Sequence, residues 1–400
     1  VSEGATVLIA GGGIGGLAAG LAASRSGWNV QLFERTPAFS EVGAGIQLGP
    51  NAVRVLQGWG LAGALNAMAA FPERLQVRSA ASGGLLAELR LGSTIAARYG
   101  APYLTVHRAD LHALLLHALQ QRDGAQMQPG SPVLGFRQEA SAVTVCMEDG
   151  FELTGEVLVG ADGLWSAVRE QMLGDGPPRP VGHLAYRALV LQHSLPAALQ
   201  SHDVTVWLAP RMHVVQYPVR GGDWLNVVAI VHGEAADGTQ SWDHAAHAAD
   251  LATAMDRACL PLRQLVEAVP QWRLWVLHDR APMQGAHEHA LGRVALLGDA
   301  AHPMRPYLAQ GAAMALEDAA ELGGALALAC QPGPSVEGLL QRYAAKRWQR
   351  NARVQSRALR NGQVFHADGL LRAGRDASLR LLGDRLLDLP WLYGAVPAKV

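Results

Sequence analysis

Cysteine is nearly absent: the 400 residues contain three, Cys146, Cys259 and Cys330, far apart and without a CxxC pair. Such a set excludes a disulfide framework and a cysteine metal cluster, and it suits a reducing compartment. Charge is also sparse, at 17% of the chain, and nearly balanced at a net −1. Without a basic excess there is no electrostatic footprint for nucleic acid, and no such partner is expected. No apolar run reaches the length of a membrane span. The chain starts without the basic-then-apolar order of a signal peptide and runs into "ATVLIAGGG". The expected location is the cytoplasm.

What is abundant is apolar surface and glycine: half the residues are apolar and 45 are Gly. A chain of this length exceeds one typical core, so two or three domains are expected. "ATVLIA" (5–10) reads as a buried strand, "IGGLAAGLAASRSG" as a helix and "NVQLFE" as a second strand, a β-α-β unit opening an α/β fold. "PYLTVHRADLHALLLHAL" reads as a strand entering a helix from about Ala109. A hairpin is expected at Asp149-Gly150, followed by a strand closing on Gly160. From about 180 to 280 the pattern changes to alternating strands with one helix near 245–258, an inserted, mostly antiparallel sheet. "GRVALLGDAAH" returns to a buried strand, and a long helix begins near Gly311. Beyond a Pro/Gly break at 332–334 the chain reads as helical.

Gly11, Gly13 and Gly16, with Gly15 between, form a GxGxxG at the strand-to-helix turn, and Glu34 ends the next strand. The first glycine allows the turn, the second lets backbone approach a pyrophosphate, and the third lets helix pack on strand. The helix N-terminus faces the phosphates and Glu34 accepts from a ribose hydroxyl. NAD and FAD share this fingerprint. Two later stretches bear on the choice. "GADGLWSAVR" puts Asp162 and Gly163 on a turn after a strand. "LLGDAAHPMRPYLAQGAAMALEDA" puts Asp299 just past a strand and Gly311-Ala312 at a helix N-terminus. That carboxylate suits a second ribose-like hydroxyl, as in a ribityl chain, and the helix end suits an anionic ring edge. A nicotinamide-dependent dehydrogenase has no use for this second aspartate.

In this order, the three stretches resemble the single-component FAD-dependent aromatic hydroxylases, the para-hydroxybenzoate hydroxylase-like flavoproteins, over residues 1 to about 350. The resemblance implies bound FAD, with NADH or NADPH as co-substrate and no second Rossmann unit. It assigns Gly11, Gly13, Gly15, Gly16, Glu34 and Arg35 to the ADP half, and places Gln47 and Arg108 (in "HRADL") beside the FAD. It gives Asp162 to FAD and nicotinamide binding, and Asp299, Pro306, Gly311 and Ala312 to the ribityl and ring region. It implies an α/β fold, α+β overall. The Rossmann-like FAD-binding domain is discontinuous (1–72, 101–180 and 282–330). A mostly antiparallel substrate domain takes 73–100 and 181–281, and a helical region takes 335–400.

"RMHVVQYP" (211–218) places His213, Val215 and Tyr217 on one strand face. Read alone, they are a core pair whose polar tips find partners. "RYGAPYLTVHRADLH" with "PRMHVVQYPVRGG" is similar to the 3-hydroxybenzoate 6-hydroxylase group, with salicylate and 6-hydroxynicotinate hydroxylases as neighbours. That resemblance puts His213, Tyr217 and Tyr103 in the pocket of a small phenolic acid, with O2 as oxidant and a flavin C4a-hydroperoxide as the oxygen donor. His213 is the candidate base, a histidine of near-neutral pKa, and Tyr217 orients the ring. The leading reaction is 3-hydroxybenzoate to 2,5-dihydroxybenzoate (gentisate). Pro306 stands where some relatives carry an amide, which keeps salicylate and 6-hydroxynicotinate open. A flavin oxidase or dehydrogenase and a FAD-binding redox sensor are the alternative classes. Arg187, Arg220 and Arg305 are unranked candidates for a substrate carboxylate. His107, His112, His117 and His302 suggest surface or capping roles and no metal set. Lys346, Arg350, Arg353, Arg357 and Arg360 form one basic helical stripe, either solvated or facing an acidic surface such as a second subunit in a homodimer.

Overall fold

The first apolar run, Thr6–Ala10, lies inside a six-stranded sheet. Its neighbours Asn29–Glu34 and Val157–Gly160 both run parallel to it, and Ala125–Pro129 and Val294–Leu296 extend the parallel order outward. A short antiparallel strand, Ala290–Leu291, closes one edge. Central strands covered on both faces must be apolar throughout, which is why "TVLIA" and "VLVG" do not alternate. The fold is a computed structural model that describes residues 4–39, 44–234, 244–330, 334–396 and 398. Most of the break expected at 332–334 lies outside them.

Helices Ile14–Arg25 and Gly311–Leu326 pack against each other on this sheet, small residues allowing close approach. The expected hairpin is the Val143–Met147 and Glu152–Gly155 pair, turned through Gly150 at φ +83°. The alternating region forms an eight-stranded sheet in the order 244–246, 272–279, 179–191, 224–232, 212–219, 204–209, 74–79, 85–90. All its pairings are antiparallel except Val204–Ala209 with Arg74–Ser79.

One expected element is corrected. The helix near 245–258 is a strand, His244–Ala246, then a tight turn and a short helix, Ala252–Met255. A separate helix, Leu260–Ala268, follows. Pro261 sits in the first turn of this second helix, where proline is tolerated, and so marks a new start rather than a continuation. After Ser335, whose side chain caps Val336–Phe365, the described chain is largely helical. Among the described residues no helix is long and apolar enough to cross a membrane.

Candidate active site

The glycine turn is fixed by close approach. Gly11 has φ +103°, and a Cβ there would stand 2.4 Å from the Ala161 carbonyl oxygen; one on Gly16 would stand 1.8 Å from that of Gly11. Neither position tolerates a side chain, so both shape the turn, while Gly13 and Gly15 line the cleft beyond it. Glu34 accepts from the Gly12 N–H at 2.7 Å and from Thr36, holding the turn at the strand end. Arg35 is exposed beside it. His112 departs from the expected surface role: it is buried and its Nε2 lies 2.8 Å from the Gly12 carbonyl oxygen, a brace for the glycine turn.

The cleft has a volume of about 290 Å3. Gln47, Arg108, Asp299 and Pro306 line it, as do His213 and Tyr217 from the other sheet. Gly311 and Ala312 open the helix at its far wall. This helix and the one starting at Ile14 carry no acidic residue in the first turn and no side-chain cap. Two uncapped N-termini facing one cleft offer free N–H groups and positive dipole ends to an anionic ligand.

Asp162 turns away from the cleft. Its carboxylate accepts from Ser166 Oγ and the Val168 N–H, and burial raises its pKa; Gly163 reaches the cleft instead. Arg169, from the same stretch, is buried and donates to the carbonyls of Ala300 and Ala301 at 2.9 and 2.7 Å. It ties this turn to the loop bearing Asp299.

The strand Met212–Val219 carries His213, Val215 and Tyr217 on the cleft face, while Gln216 turns back to accept from Trp207. Tyr103 donates to Gln47 Oε1 at 2.6 Å, so Gln47 stands between the two tyrosines. Gln47, His213 and Pro306 also border a second, mostly apolar cavity of about 540 Å3 that opens toward the C-terminal helices, and Tyr103 lines this cavity rather than the cleft. His213 is fully buried; its Nδ1 lies 2.8 Å from His366 Nε2, and its Nε2 has no hydrogen-bond partner. The expected near-neutral pKa does not hold. Burial, and then the neighbouring His183, push it down to about 3, because a charged imidazolium loses its water without gaining an anion.

The three arginine candidates separate cleanly. Arg220 is paired with Asp110 at 2.8 Å, away from the cleft, and Arg305 lines the cleft but is held by Asp279. Arg187 lines the cleft, stacks over Trp275 at 3.9 Å and has a buried Nε without a partner. Burial lowers its pKa to about 10, which leaves it charged at neutral pH. Cross-strand register places it: Arg187 pairs with Val228, and Val228 with Val215, one row from His213.

Two further expectations are corrected. The basic stripe is not wholly solvated: Lys346 pairs with Glu321, Arg350 with Glu317, and Arg353 stacks on Trp391, while Lys346, Arg353 and Arg360 remain exposed. His302 is buried against Asp318 rather than at the surface. Sequence reading also missed His183, His232 and His366, three imidazoles gathered within 4.8 Å behind His213. Their separation along the chain leaves no local signal.

The FAD binding domain family model matches residues 4–358. The chain is 37% identical to the 3-hydroxybenzoate 6-hydroxylase of Polaromonas naphthalenivorans (strain CJ2), covering 97% of this chain and 95% of that one. It is 36% identical to a 3-amino-4-hydroxybenzoate 2-monooxygenase of Streptomyces platensis, over 98% and 97% of the two chains. Among solved structures it is similar to Klebsiella pneumoniae HpxO complexed with FAD and uric acid, with a TM-score of 0.84 at 26% identity over 96% and 95%.

Proposed function

The chain belongs to the FAD-binding-domain family, among its single-component aromatic hydroxylases, and from that premise we propose that it converts 3-hydroxybenzoate to 2,5-dihydroxybenzoate. It is a flavoprotein monooxygenase with FAD as cofactor and NAD(P)H as donor, which sets aside the dehydrogenase and redox-sensor readings. The cleft fits that cofactor: Gly13, Gly15 and Arg108 would hold its pyrophosphate side, Asp299 its ribityl hydroxyls, and the N–H groups of Gly311 and Ala312 its ring edge. Bound FAD accepts hydride from NAD(P)H and activates O2 for transfer of one oxygen atom to the ring.

The observation that carries the substrate reading is Arg187. A half-buried guanidinium with a buried, unpaired Nε, stacked on an aromatic ring, is prepared for a planar carboxylate. His213 Nε2, unpartnered one row away, takes the hydroxyl. Gln47 links Tyr103 and Tyr217 beside that hydroxyl and fixes the ring's position. As a neutral imidazole His213 accepts the phenol's hydrogen bond and raises ring electron density at the para carbon. The Arg187 guanidinium one row away offsets the negative charge that proton transfer to His213 leaves on the ring oxygen. Pro306, on the wall shared by cleft and cavity, is the feature that favours salicylate or 6-hydroxynicotinate instead.

The test is a panel of 3-hydroxybenzoate, salicylate, 6-hydroxynicotinate and 3-hydroxybenzamide, scored for coupled NADH and NADPH oxidation with product identified. Tight coupling with 3-hydroxybenzoate and weak binding of its amide are expected. Tighter coupling with salicylate or 6-hydroxynicotinate would overturn the assignment.

A further inference from the structure

Three histidines from three separate elements meet behind His213. His183 and His232 are directly opposite each other on adjacent strands, with ring centroids 4.3 Å apart. His366 arrives at the end of the long helix Val336–Phe365, its ring centroid 4.8 Å from that of His232 and 5.2 Å from that of His183. One ligating nitrogen from each lies within 4.8 Å of the others, and His232 is partly exposed.

We propose that His183, His232 and His366 form a binding site for one divalent transition-metal ion of the zinc type, and that its occupation silences His213. Two of the three have the support that ligating histidines need, a second nitrogen held by another group. His183 Nδ1 is engaged by Tyr307 OH, leaving Nε2, and His366 Nε2 is engaged by His213 Nδ1 at 2.8 Å, leaving Nδ1. His366 Nδ1 and His232 Nε2 already face each other at 2.8 Å. A tetrahedral ion with bonds of about 2.0–2.1 Å wants nitrogens roughly 3.3 Å apart. The set must therefore open at one edge and contract at another, and the partly exposed His232 has the freedom to adjust. Three neutral nitrogens suit zinc, copper or nickel rather than calcium or magnesium. Burial lowers the pKa of His183 to about 4 and of His366 to about 2, so both are neutral imidazoles at pH 7. Two nearby cations are already paired, Arg305 with Asp279 and Arg375 with Asp376.

The link to His213 follows from imidazole chemistry and rests on the role given to His213 above. A metal on His366 Nδ1 leaves the proton on Nε2, which must then donate to His213 Nδ1. His213 is thereby fixed with its own proton on Nε2, the atom facing the pocket. It then donates to the substrate hydroxyl and cannot accept from it. Bound metal thus turns the candidate base into a donor.

The test uses untagged holoenzyme with zinc alone in a non-chelating buffer at pH 7. Equilibrium dialysis with metal analysis should give one zinc per chain, and cobalt(II) should give the visible absorption of a tetrahedral nitrogen site. His232→Ala, which leaves His213 and its bond to His366 in place, should lose that equivalent and the cobalt spectrum while hydroxylating normally. His183→Gln repeats the binding test if the first variant lacks FAD or native circular dichroism. Zinc should inhibit the wild type at least tenfold, reversibly by chelation, and leave His232→Ala uninhibited. Absence of stoichiometric metal, or equal binding by both variants, would overturn the site. Full occupancy without inhibition would overturn the lock on His213. Neither result touches the substrate assignment, which the phenol panel decides without metal.

Discussion

At the scale of single residues, the account turns on two groups with unmet hydrogen-bonding capacity. His213 keeps Nε2 buried and unpartnered in a pocket otherwise ready for a ring. His213→Gln should retain FAD and be reduced by NAD(P)H, yet hydroxylate roughly 10²–10⁴-fold more slowly, the usual loss for a general base. Rapid-mixing kinetics with product quantitation separates the two half-reactions, and unchanged coupled turnover would return His213 to the role of a core residue. Arg187→Met should raise the KM for 3-hydroxybenzoate about 10- to 100-fold, as expected from one charge-assisted hydrogen bond of about 1.5–3 kcal/mol. The neutral amide should show a much smaller change. The sequence pattern already shows His213 and Tyr217 sharing a face, because the strand period of two is local information. It leaves Arg187 unranked among three arginines, because its place beside Val228 and Val215 depends on strand pairing far along the chain.

At the scale of elements, the helix Gly311–Leu326 joins the candidate cofactor cleft to a buried charge network. Its first turn lines the cleft, while Glu317 and Asp318, one turn on, are buried against Arg347 of the long C-terminal helix. Burial alone would raise the Asp318 pKa, but His302 and Arg347 outweigh it and hold the carboxyl far below its ordinary value. A carboxylate whose folded pKa is depressed contributes stability that is present above its unfolded value of about 3.9. That contribution is lost progressively as pH falls from about 5 toward 1. The melting temperature should therefore drop steeply below pH 5, and Arg347→Met should show a shallower acid slope. The same variant should lose up to about 3–5 kcal/mol at neutral pH, because it takes a buried cation from both Glu317 and Asp318 and leaves them Arg350 and His302 alone as charged partners. The basic stripe was misread for the same reason that this network was invisible. Periodicity shows which residues share a helix face, but not which helix docks on it, and Glu317 and Glu321 are what Arg350 and Lys346 meet.

The turn at Gly16 is an element whose failure should be specific. A methyl group there would overlap the Gly11 carbonyl oxygen, so Gly16→Ala should give protein that no longer retains FAD. Flavin absorbance after gel filtration reads this directly, and normal flavin content would contradict the close-approach argument. This turn was legible from sequence because strand, glycines and helix are contiguous. Its brace, His112, was not, because the contact with the Gly12 carbonyl spans the domain.

At the scale of the whole molecule, a parallel sheet that offers two helix N-termini faces an antiparallel sheet that offers a row of polar side chains. The candidate site lies where they meet. The central claim is that this junction hydroxylates 3-hydroxybenzoate para to its hydroxyl. The most direct measurement is a single incubation with 3-hydroxybenzoate, NAD(P)H and 18O2, followed by mass spectrometry of the aromatic product. The account predicts 2,5-dihydroxybenzoate carrying one 18O atom in its new hydroxyl, formed in proportion to the nicotinamide consumed. Nicotinamide oxidation that yields only hydrogen peroxide, or a labelled product hydroxylated at another position, would contradict it.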